Sequence, residues 1–413
     1  MTAAYIIDAC RTPRGIGKFG KGALSGIHPQ QLAATVLQAL AQRTGIDTAA
    51  VDDILWGTSA QVGPQGGDLG RMAALDAGYD VRSSGVTLDR FCGSGLTAVN
   101  LASASIMSGM EDLVVAGGTE MMSMPNRRGG ESGPMMLDQG NLRLRERHPQ
   151  PAQGICADAI ATLEGITRAD VDALAFSSQQ RAANAIEKGY FKKSLIPVYR
   201  EDGTLALDRE EFPRPQTTLE GLAGLKPSFE AIADLKLDEA GTTFRGLLLK
   251  RYPDLELNFV HHAGNSSGVV DGAAAVLLAS EKYAKAHGLK PRARIVAMAN
   301  MGDSPTLMLN APVPAARKVL AKAGLTLADI DLFEVNEAFA VVPEKFIRDL
   351  KLPREKVNVN GGAIALGHPI GATGAILVGT LLDELERRDL KRGLVTMCAG
   401  GGMAPAIIIE RVV

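Results

Sequence analysis

Three glycine-rich segments, far apart in the chain, each carry one reactive side chain. They are Arg90-Phe91-Cys92-Gly93-Ser94-Gly95, the run 367–374 around His368, and the run 398–403 that begins with Cys398. A thiol, an imidazole and a second thiol are the parts that covalent acyl transfer needs. Glycine has no Cβ, so the backbone N–H groups beside each reactive group can turn onto a ligand oxygen. Cys92 follows a short extended run (86–88) and immediately precedes a segment of helical composition. A thiol there feels the positive end of the helix dipole, which favours the thiolate. A lone cysteine is more commonly a buried structural one; the glycines that follow point to a nucleophile instead. His368 lies between Gly367 and Pro369, again ahead of a helix, and the proline disfavours the α conformation before it and fixes the loop. A base that takes the proton of Cys92 needs such placement. Cys398 ends an apolar run and leads into Gly400, Gly401 and Gly402. Hydrolysis needs one nucleophile, so a second thiol fits a reaction in which a carbon gains or loses a proton, as when a C–C bond breaks beside a thioester. Asn336, after the apolar run 331–335, supplies a carboxamide suited to hold a water or an oxyanion.

Other motifs compete for the same residues. Gly93-Ser94-Gly95-Leu96-Thr97-Ala98 fits the dinucleotide pattern, with Glu111 and Asp112 near the acidic position. That pattern belongs after the first strand of a βαβ unit and leaves Cys92 unexplained. Gly264-Asn265-Ser266-Ser267-Gly268 fits a serine nucleophile elbow, so a hydrolase using Ser266 and His368 is an alternative. It leaves both Cys92 and Cys398 idle. His261-His262 raises the question of a metal, but adjacent side chains on an extended segment point opposite ways, and no metal is expected.

These loops must be carried by a regular frame, and the chain echoes itself. Residues 4–7 resemble 293–296, residues 51–55 resemble 330–333, and the strand-like run 113–118 resembles 394–397 with its glycines beyond. Helical composition covers 30–43, 95–110, 313–323 and 371–387. Strands alternating with helices predict an α/β fold of mostly parallel sheets covered on both faces. Between the halves, residues 121–255 are richer in proline, arginine and acids; 170–191 reads as an amphipathic helix and 200–218 as extended loop. This stretch is expected to form a lid or substrate-binding subdomain.

Composition bounds the function further. A chain of 413 residues should hold two or three structural units. Its 44 basic and 46 acidic residues give net −2, so no global field favours nucleic acid or an anionic membrane. The clusters Arg127-Arg128 and 143–147 are locally basic and, as surface loops, are more simply solvated than bound to phosphate. Four cysteines without a CxxC spacing give no disulfide framework. Asp8 and Arg11 interrupt the first apolar run, which argues against a secretory signal and for a reducing cytoplasm. The uncharged stretch 361–382 holds six glycines and Pro369 and suits a buried turn and helix better than a membrane span.

Together these residues resemble the thiolase family, whose members cleave or form 3-ketoacyl-CoA. The resemblance spans nearly the whole chain: Arg11-Thr12-Pro13, 90–95, Ser178-Gln179-Gln180-Arg181-Ala182, 215–227, 263–268, 336–340, 368–374 and 398–403. It implies a five-layer α-β-α-β-α sandwich of two βαβαβαββ halves with a loop domain inserted in the first. The division it suggests is 1–120 and 256–290 for the N-terminal half, 121–255 for the insert and 291–413 for the C-terminal half. By matching positions, Cys92 is the acylated nucleophile, His368 activates it, and Cys398 moves the proton at the substrate α-carbon. Asn336, through a water, and His368 form one oxyanion hole; the N–H groups of Cys92 and Gly400 form the other. Arg214 matches a residue near the CoA nucleotide and Ser267 one near the pantetheine, and Phe339 lines the acyl pocket.

The chain departs from the family at Gln153-Gly154, where a methionine-glycine pair is usual at the acyl pocket. It departs also at His261-His262 and at Ala404-Pro405. None touches the catalytic four, though the first two bear on which acyl groups fit. The resemblance implies CoA as co-substrate, no tightly bound cofactor, and a homodimer or homotetramer in the cytoplasm. An edge strand near 86–90 could pair across a twofold, and a complex with other β-oxidation enzymes stays open. Within the same superfamily a 3-ketoacyl synthase is the alternative; synthases also acylate a cysteine but lack the C-terminal Cys-x-Gly-Gly-Gly.

Overall fold

The computed structural model describes residues 2–125 and 136–413; Arg127-Arg128 lie outside them. The chain begins with β1 (Ala4–Arg11), β2 (Gly15–Ile16), α1 (Pro29–Thr44), β3 (Asp53–Gly57), α2 (Leu69–Asp76), β4 (Val86–Leu88), α3 (Ser94–Ser108) and β5 (Leu113–Met121). A middle segment carries α4 (Leu142–Arg147), α5 (Gln153–Glu164), α6 (Arg168–Glu187), the strands β6 (Val198–Tyr199) and β7 (Leu205–Leu207), and then α7 (Leu219–Ala223), α8 (Glu230–Ala233) and α9 (Phe244–Leu249). The first half is completed by β8 (Val270–Ser280) and α10 (Glu281–Ala286). The second half runs β9 (Ala293–Gly302), α11 (Pro312–Ala323), β10 (Leu332–Val335), α12 (Val341–Leu350), α13 (Ala363–Leu366), α14 (Thr373–Arg387), β11 (Arg392–Thr396) and β12 (Met403–Arg411).

The strands lie in the order β4-β3-β5-β8-β1-β9-β12-β11-β10, with β2 on β8. This order is a near-palindrome about the β1–β9 seam, where only Tyr5 with Arg294 and Ile6 with Ala293 are paired. The halves are not mostly parallel, as alternation of strands and helices suggested. Between the strands of the described residues, parallel pairing is confined to β3 with β4 and β5 and to β10 with β11, while β8 and β12 run antiparallel to their neighbours. The cause is the connection. Only a short glycine turn joins β11 to β12, too short for a parallel crossover, and β8 arrives from the middle segment with no helix crossing its sheet.

Local detail repeats with the frame. Asp52 Oδ2 accepts the N–H groups of Asp112 and Leu113 at 2.8 and 3.0 Å, and Asp331 Oδ2 accepts those of Lys391 and Arg392 at 2.9 and 2.8 Å. The register breaks at Ile7 in β1 and at Val296 in β9, the same place in both halves. Pairing Asp53 with Val114 and Leu332 with Gly393 aligns Leu113 with Arg392, two residues from the echo suggested by composition. The shift preserves the face of the strand because side chains alternate with period 2. It sets Gly57 opposite Asn336 and Thr119 opposite Cys398 in the duplicated frame.

The layers follow from that alternation. Val114 and Ala116 face a central core that holds α3 and α14, with Leu96, Val99, Ile376 and Leu381. Leu113 and Val115 face an outer core with α1, where Leu32 and Leu37 are buried. The second half has the same arrangement, with Val395 inward and Leu394 toward Val319 of α11. Both α1 and α11 stop at a glycine with φ 65°, Gly45 and Gly324, which a Cβ would strain. The middle segment does not stand apart. Ile155, Val171 and Phe244 share one core with Val319 and Phe346 of the second half. Helix α6 starts at a capping box, Thr167 with Asp170, and ends at Glu187 rather than 191 because the chain turns at Gly189, φ 69°.

Candidate active site

Cys92 is buried in a tight turn between β4 and α3. Phe91 before it has φ 48°, a left-handed conformation that costs a bulky residue about 1–3 kcal/mol. Short bonds hold the turn: Asp89 Oδ1 accepts the Phe91 N–H at 2.6 Å, and the Ser94 hydroxyl donates to the Phe91 carbonyl at 2.6 Å. The Ser94 oxygen also accepts the Arg90 N–H at 2.8 Å. Gly93 is the N-cap of α3 and follows the thiol directly, so Cys92 stands at the positive end of a fifteen-residue helix in the central layer. Pro405, one of the departures, packs beneath this turn: a Cβ on Gly93 would lie 3.0 Å from its ring.

His368 occupies the corresponding entry to α14, from the other half. Its N–H donates to the Gly268 carbonyl at 2.9 Å, and its Nδ1 lies 2.6 Å from the Thr373 hydroxyl. That hydroxyl donates its own proton to the Pro369 carbonyl at 3.0 Å, so Nδ1 carries the ring hydrogen and Nε2 presents its lone pair. Asn336 Nδ2 donates toward Nε2 across 3.4 Å. The buried Oδ1 of Asn336 has no partner among the described residues.

The two helix entries interlock. A Cβ on Gly95 would fall 2.7 Å from the Gly371 carbonyl, and one on Gly374 would fall 2.0 Å from the Leu96 nitrogen. Cys398 closes the group from the end of β11. Its thiol pKa is pushed well up, first by burial and then by the neighbouring Cys92 sulfur, so it remains protonated at neutral pH. The chain then turns through Gly400, Gly401 and Gly402; a Cβ on Gly400 would lie 3.0 Å from the Phe91 ring, which sets this turn against the Cys92 turn.

Residues 4–233 match the family model described as "Thiolase, N-terminal domain", and residues 289–411 match "Thiolase, C-terminal domain". The chain belongs to the thiolase family. It is 41% identical to the steroid 3-ketoacyl-CoA thiolase FadA6 of Mycobacterium tuberculosis, over all of this chain and 95% of that one. It is also 41% identical to the beta-ketoadipyl-CoA thiolase of Escherichia coli, over the whole of both. The crystal structure of human mitochondrial 3-ketoacyl-CoA thiolase superposes with a TM-score of 0.84 at 34% identity, covering 100% of this chain and 99% of that one. This thiolase is an acyltransferase that cleaves 3-ketoacyl-CoA with CoA.

The serine elbow is not built for hydrolysis in this thiolase. The Ser266 hydroxyl donates to the His262 carbonyl at 2.9 Å, and His368 Nδ1 is held by Thr373, not by a carboxylate. The adjacent histidines are structural. His261 Nδ1 donates to Asp158 at 2.7 Å and its Nε2 accepts the Val341 N–H; His262 Nε2 donates to Asp172 at 2.9 Å and its Nδ1 accepts the Gly264 N–H.

On the substrate side, Phe339 stacks edge-on between Phe229 and His261, at 5.8 and 5.7 Å. Gln153 opens α5 beside them, and the next residue, Gly154, leaves room for the Phe229 ring. A separate pocket of about 220 Å³ is lined by Arg214, Phe212, Gln179, Thr217, Gly264 and Ile364. The Arg214 guanidinium lies 5.6 Å over the Phe212 ring, and the Arg214 backbone N–H donates to Gln179 Oε1 at 2.9 Å. Ser267 lies just beyond Gly264, its N–H on the Ala338 carbonyl. A larger cavity, about 320 Å³, lies behind Glu337, with Ser178, Arg181 and Arg354 and neither thiol nor imidazole among its described walls. In the basic cluster 143–147, Arg145 is paired with Asp138 and Asp238, both at 2.8 Å.

The motifs do not single out several supporting residues within or beside them. Thr373, which fixes the His368 tautomer, hides inside a helix start. Glu337 accepts from Ser178, Asn358 and Ile364, and its carboxyl pKa is raised by burial. Nor does the sequence single out Glu120, the acid one residue before the end of the otherwise uncharged strand β5.

Proposed function

We propose that this thiolase works by a ping-pong reaction through an acyl group on Cys92. With His368 Nε2 as base, the Cys92 sulfur bonds to the 3-keto carbon. The C2–C3 bond then breaks and its electron pair remains on the acetyl-CoA enolate. Cys398 gives its proton to C2, and acetyl-CoA leaves. A second CoA thiol attacks the acyl-Cys92 carbonyl, passing its proton to Cys398 and releasing a shortened acyl-CoA. Condensation is the same path in reverse, with the Cys398 thiolate abstracting the α-proton. The Cys92 and Gly400 N–H groups receive one oxyanion; His368 and Asn336, through a water, receive the other. The observation that supports this best is the second thiol, which burial keeps protonated beside the first.

The Arg214 pocket suits the CoA nucleotide, with Ser267 toward the pantetheine and Phe339 and Gln153 on the acyl group. CoA enters as a substrate, and the chemistry calls for no tightly bound cofactor or metal. The units are 1–120 with 256–290, the insert 121–255, and 291–413. Strand β4 ends the sheet with Val86 exposed, which fits pairing of two copies in a homodimer or a tetramer of such pairs. No helix among the described residues is long and apolar enough to cross a membrane, and four free cysteines fit a cytoplasmic enzyme.

The test is CoA-dependent turnover of 3-ketoacyl-CoAs graded in length, including dicarboxylic and ring-bearing acyl groups such as the relatives' names specify. Trapped intermediate should add acyl mass to the Cys92 peptide. Acyl mass on Ser266, or no CoA-dependent turnover across the series, would reverse the reading.

A further inference from the structure

Gly371 crowns the turn between His368 and Thr373, and the N-terminal half holds its peptide on both sides. Its N–H donates to Glu120 Oε2 at 2.9 Å. Its carbonyl oxygen rests against three glycines of that half: a Cβ on Gly57, Gly95 or Gly118 would lie 2.8, 2.7 or 2.0 Å from it. Any side chain at these positions would expel the carbonyl. Glu120 is fully buried. Its carboxylate also accepts the N–H groups of Ser59 and Ala60, at 2.9 and 3.2 Å, and Gln65 Nε2 at 3.0 Å. One carboxylate thus ties β5, the loop after β3 and the His368 turn together. The turn itself is stiff, because the Pro369 carbonyl accepts the Ala372 and Thr373 N–H groups and the Thr373 hydroxyl. Since that hydroxyl holds His368 Nδ1, a displacement at Gly371 is passed to the imidazole.

We propose that Glu120 is a positioning residue that sets His368 relative to Cys92 across the two halves. The inference rests on reading Cys92 as nucleophile and His368 as its base. Glu120 does not touch substrate. It acts by holding one peptide of the opposing half, and the same peptide bears on Gly95 at the start of the Cys92 helix. Glutamine at position 120 keeps the shape but replaces one acceptor by an NH2 group facing N–H donors, so the four donors can no longer all be satisfied.

The experiment is a double-mutant cycle on Cys92 alkylation by iodoacetamide, followed by mass across a pH series in the full-length enzyme. The variants are Glu120→Gln, His368→Ala and both together, each checked by thermal melting. Glu120→Gln alone should slow labelling near neutral pH by about tenfold and move the rate profile to higher pH; in the His368→Ala background it should slow labelling by less than about twofold. Equal slowing in both backgrounds overturns the proposal, as does a lowered melting temperature with an unchanged pH profile. Should Glu120→Gln not fold, Glu120→Asp, which keeps the charge but shortens the reach, enters the same cycle with the same outcomes. Labelling that ignores His368→Ala in the parent enzyme would instead defeat the nucleophile–base reading.

Discussion

At the strand ends where the C-terminal half carries Asn336 and Cys398, the N-terminal half carries Gly57 and Thr119. The frames around these positions agree down to the aspartates at the strand starts and the displaced residue in each seam strand. The contents do not. In the second half the strand ends bear side chains that face the site. In the first, Gly57 has no side chain, and the space takes the Gly371 carbonyl from the other half. The helix entries diverge likewise: α3 has its thiol one residue before its N-cap, whereas α14 has its imidazole four residues before, tied back by Thr373. A duplicated scaffold thus became a single asymmetric site. In the proposed mechanism, one half supplies the nucleophile and a socket, and the other supplies the base, the acid and the carboxamide.

The largest effect should come from the one catalytic side chain of the N-terminal half. Cys92→Ala removes the sulfur proposed to carry the acyl group, so thiolysis should fall by about 10⁴-fold or more with the melting temperature little changed. Turnover of 3-ketoacyl-CoA followed by CoA-dependent product release measures it, and retention of substantial rate would move the nucleophile to another residue. Cys398→Ala should lower the same turnover by about 10³-fold. Yet acetyl-CoA should still label Cys92 in that variant, because thioester exchange needs no carbon acid. Full cleavage by Cys398→Ala would point to synthase-like chemistry with the acid elsewhere.

The three other thiols sharpen the contrast by their titration. Burial raises Cys10 to about 12 and Cys156 and Cys398 above their ordinary values. A raised thiol pKa means the reactive thiolate is scarce at neutral pH and grows as pH rises, so these three should react slowly and gain with pH. Iodoacetamide near neutral pH should therefore modify Cys92 at least about a hundredfold faster than any of them. Peptide mapping of a time course decides this, and equal labelling of Cys398 would contradict its role as a held acid.

Much of this site was legible in the chain because glycines and reactive groups announce themselves together. Cys92, His368 and Cys398 each stand where the backbone must come close to something. The frame was legible through its echoes, but not its strand directions: composition does not show that β12 returns through a short turn. Nor does it show that the middle segment shares a core with α11 and α12, since an amphipathic helix such as α6 does not name the surface it covers. Thr373 and Glu120 were hidden for a related reason. Their importance lies in which backbone they hold from far away in sequence, and a hydroxyl at a helix start has too many ordinary explanations.

Asn336→Gly would make the C-terminal strand end match its counterpart at Gly57. The Asn336 amide reaches His368 only over 3.4 Å and is expected to act on the oxyanion through a water. The loss should therefore be milder than for the thiols, about tenfold to a hundredfold in kcat. Steady-state kinetics with acetoacetyl-CoA test it. A drop confined to KM would make the carboxamide a binding group rather than part of the oxyanion hole.

The smallest effect should be equal in the two halves, because it probes the frame rather than the site. Asp52 and Asp331 each gather two successive N–H groups at the start of a neighbouring strand, with all four distances between 2.8 and 3.0 Å. Replacing either by Ala leaves two strand-end donors to water, a cost of about 1–2 kcal/mol apiece given their partial exposure. If the duplication is structural in the sense argued above, the two variants should lose matching stability in denaturant titration, with catalytic rates unchanged. A much larger loss for Asp331→Ala would mean that the half bearing Asn336 and Cys398 depends on its strand ends more strictly than the half that receives it, and that the frame has diverged along with its contents.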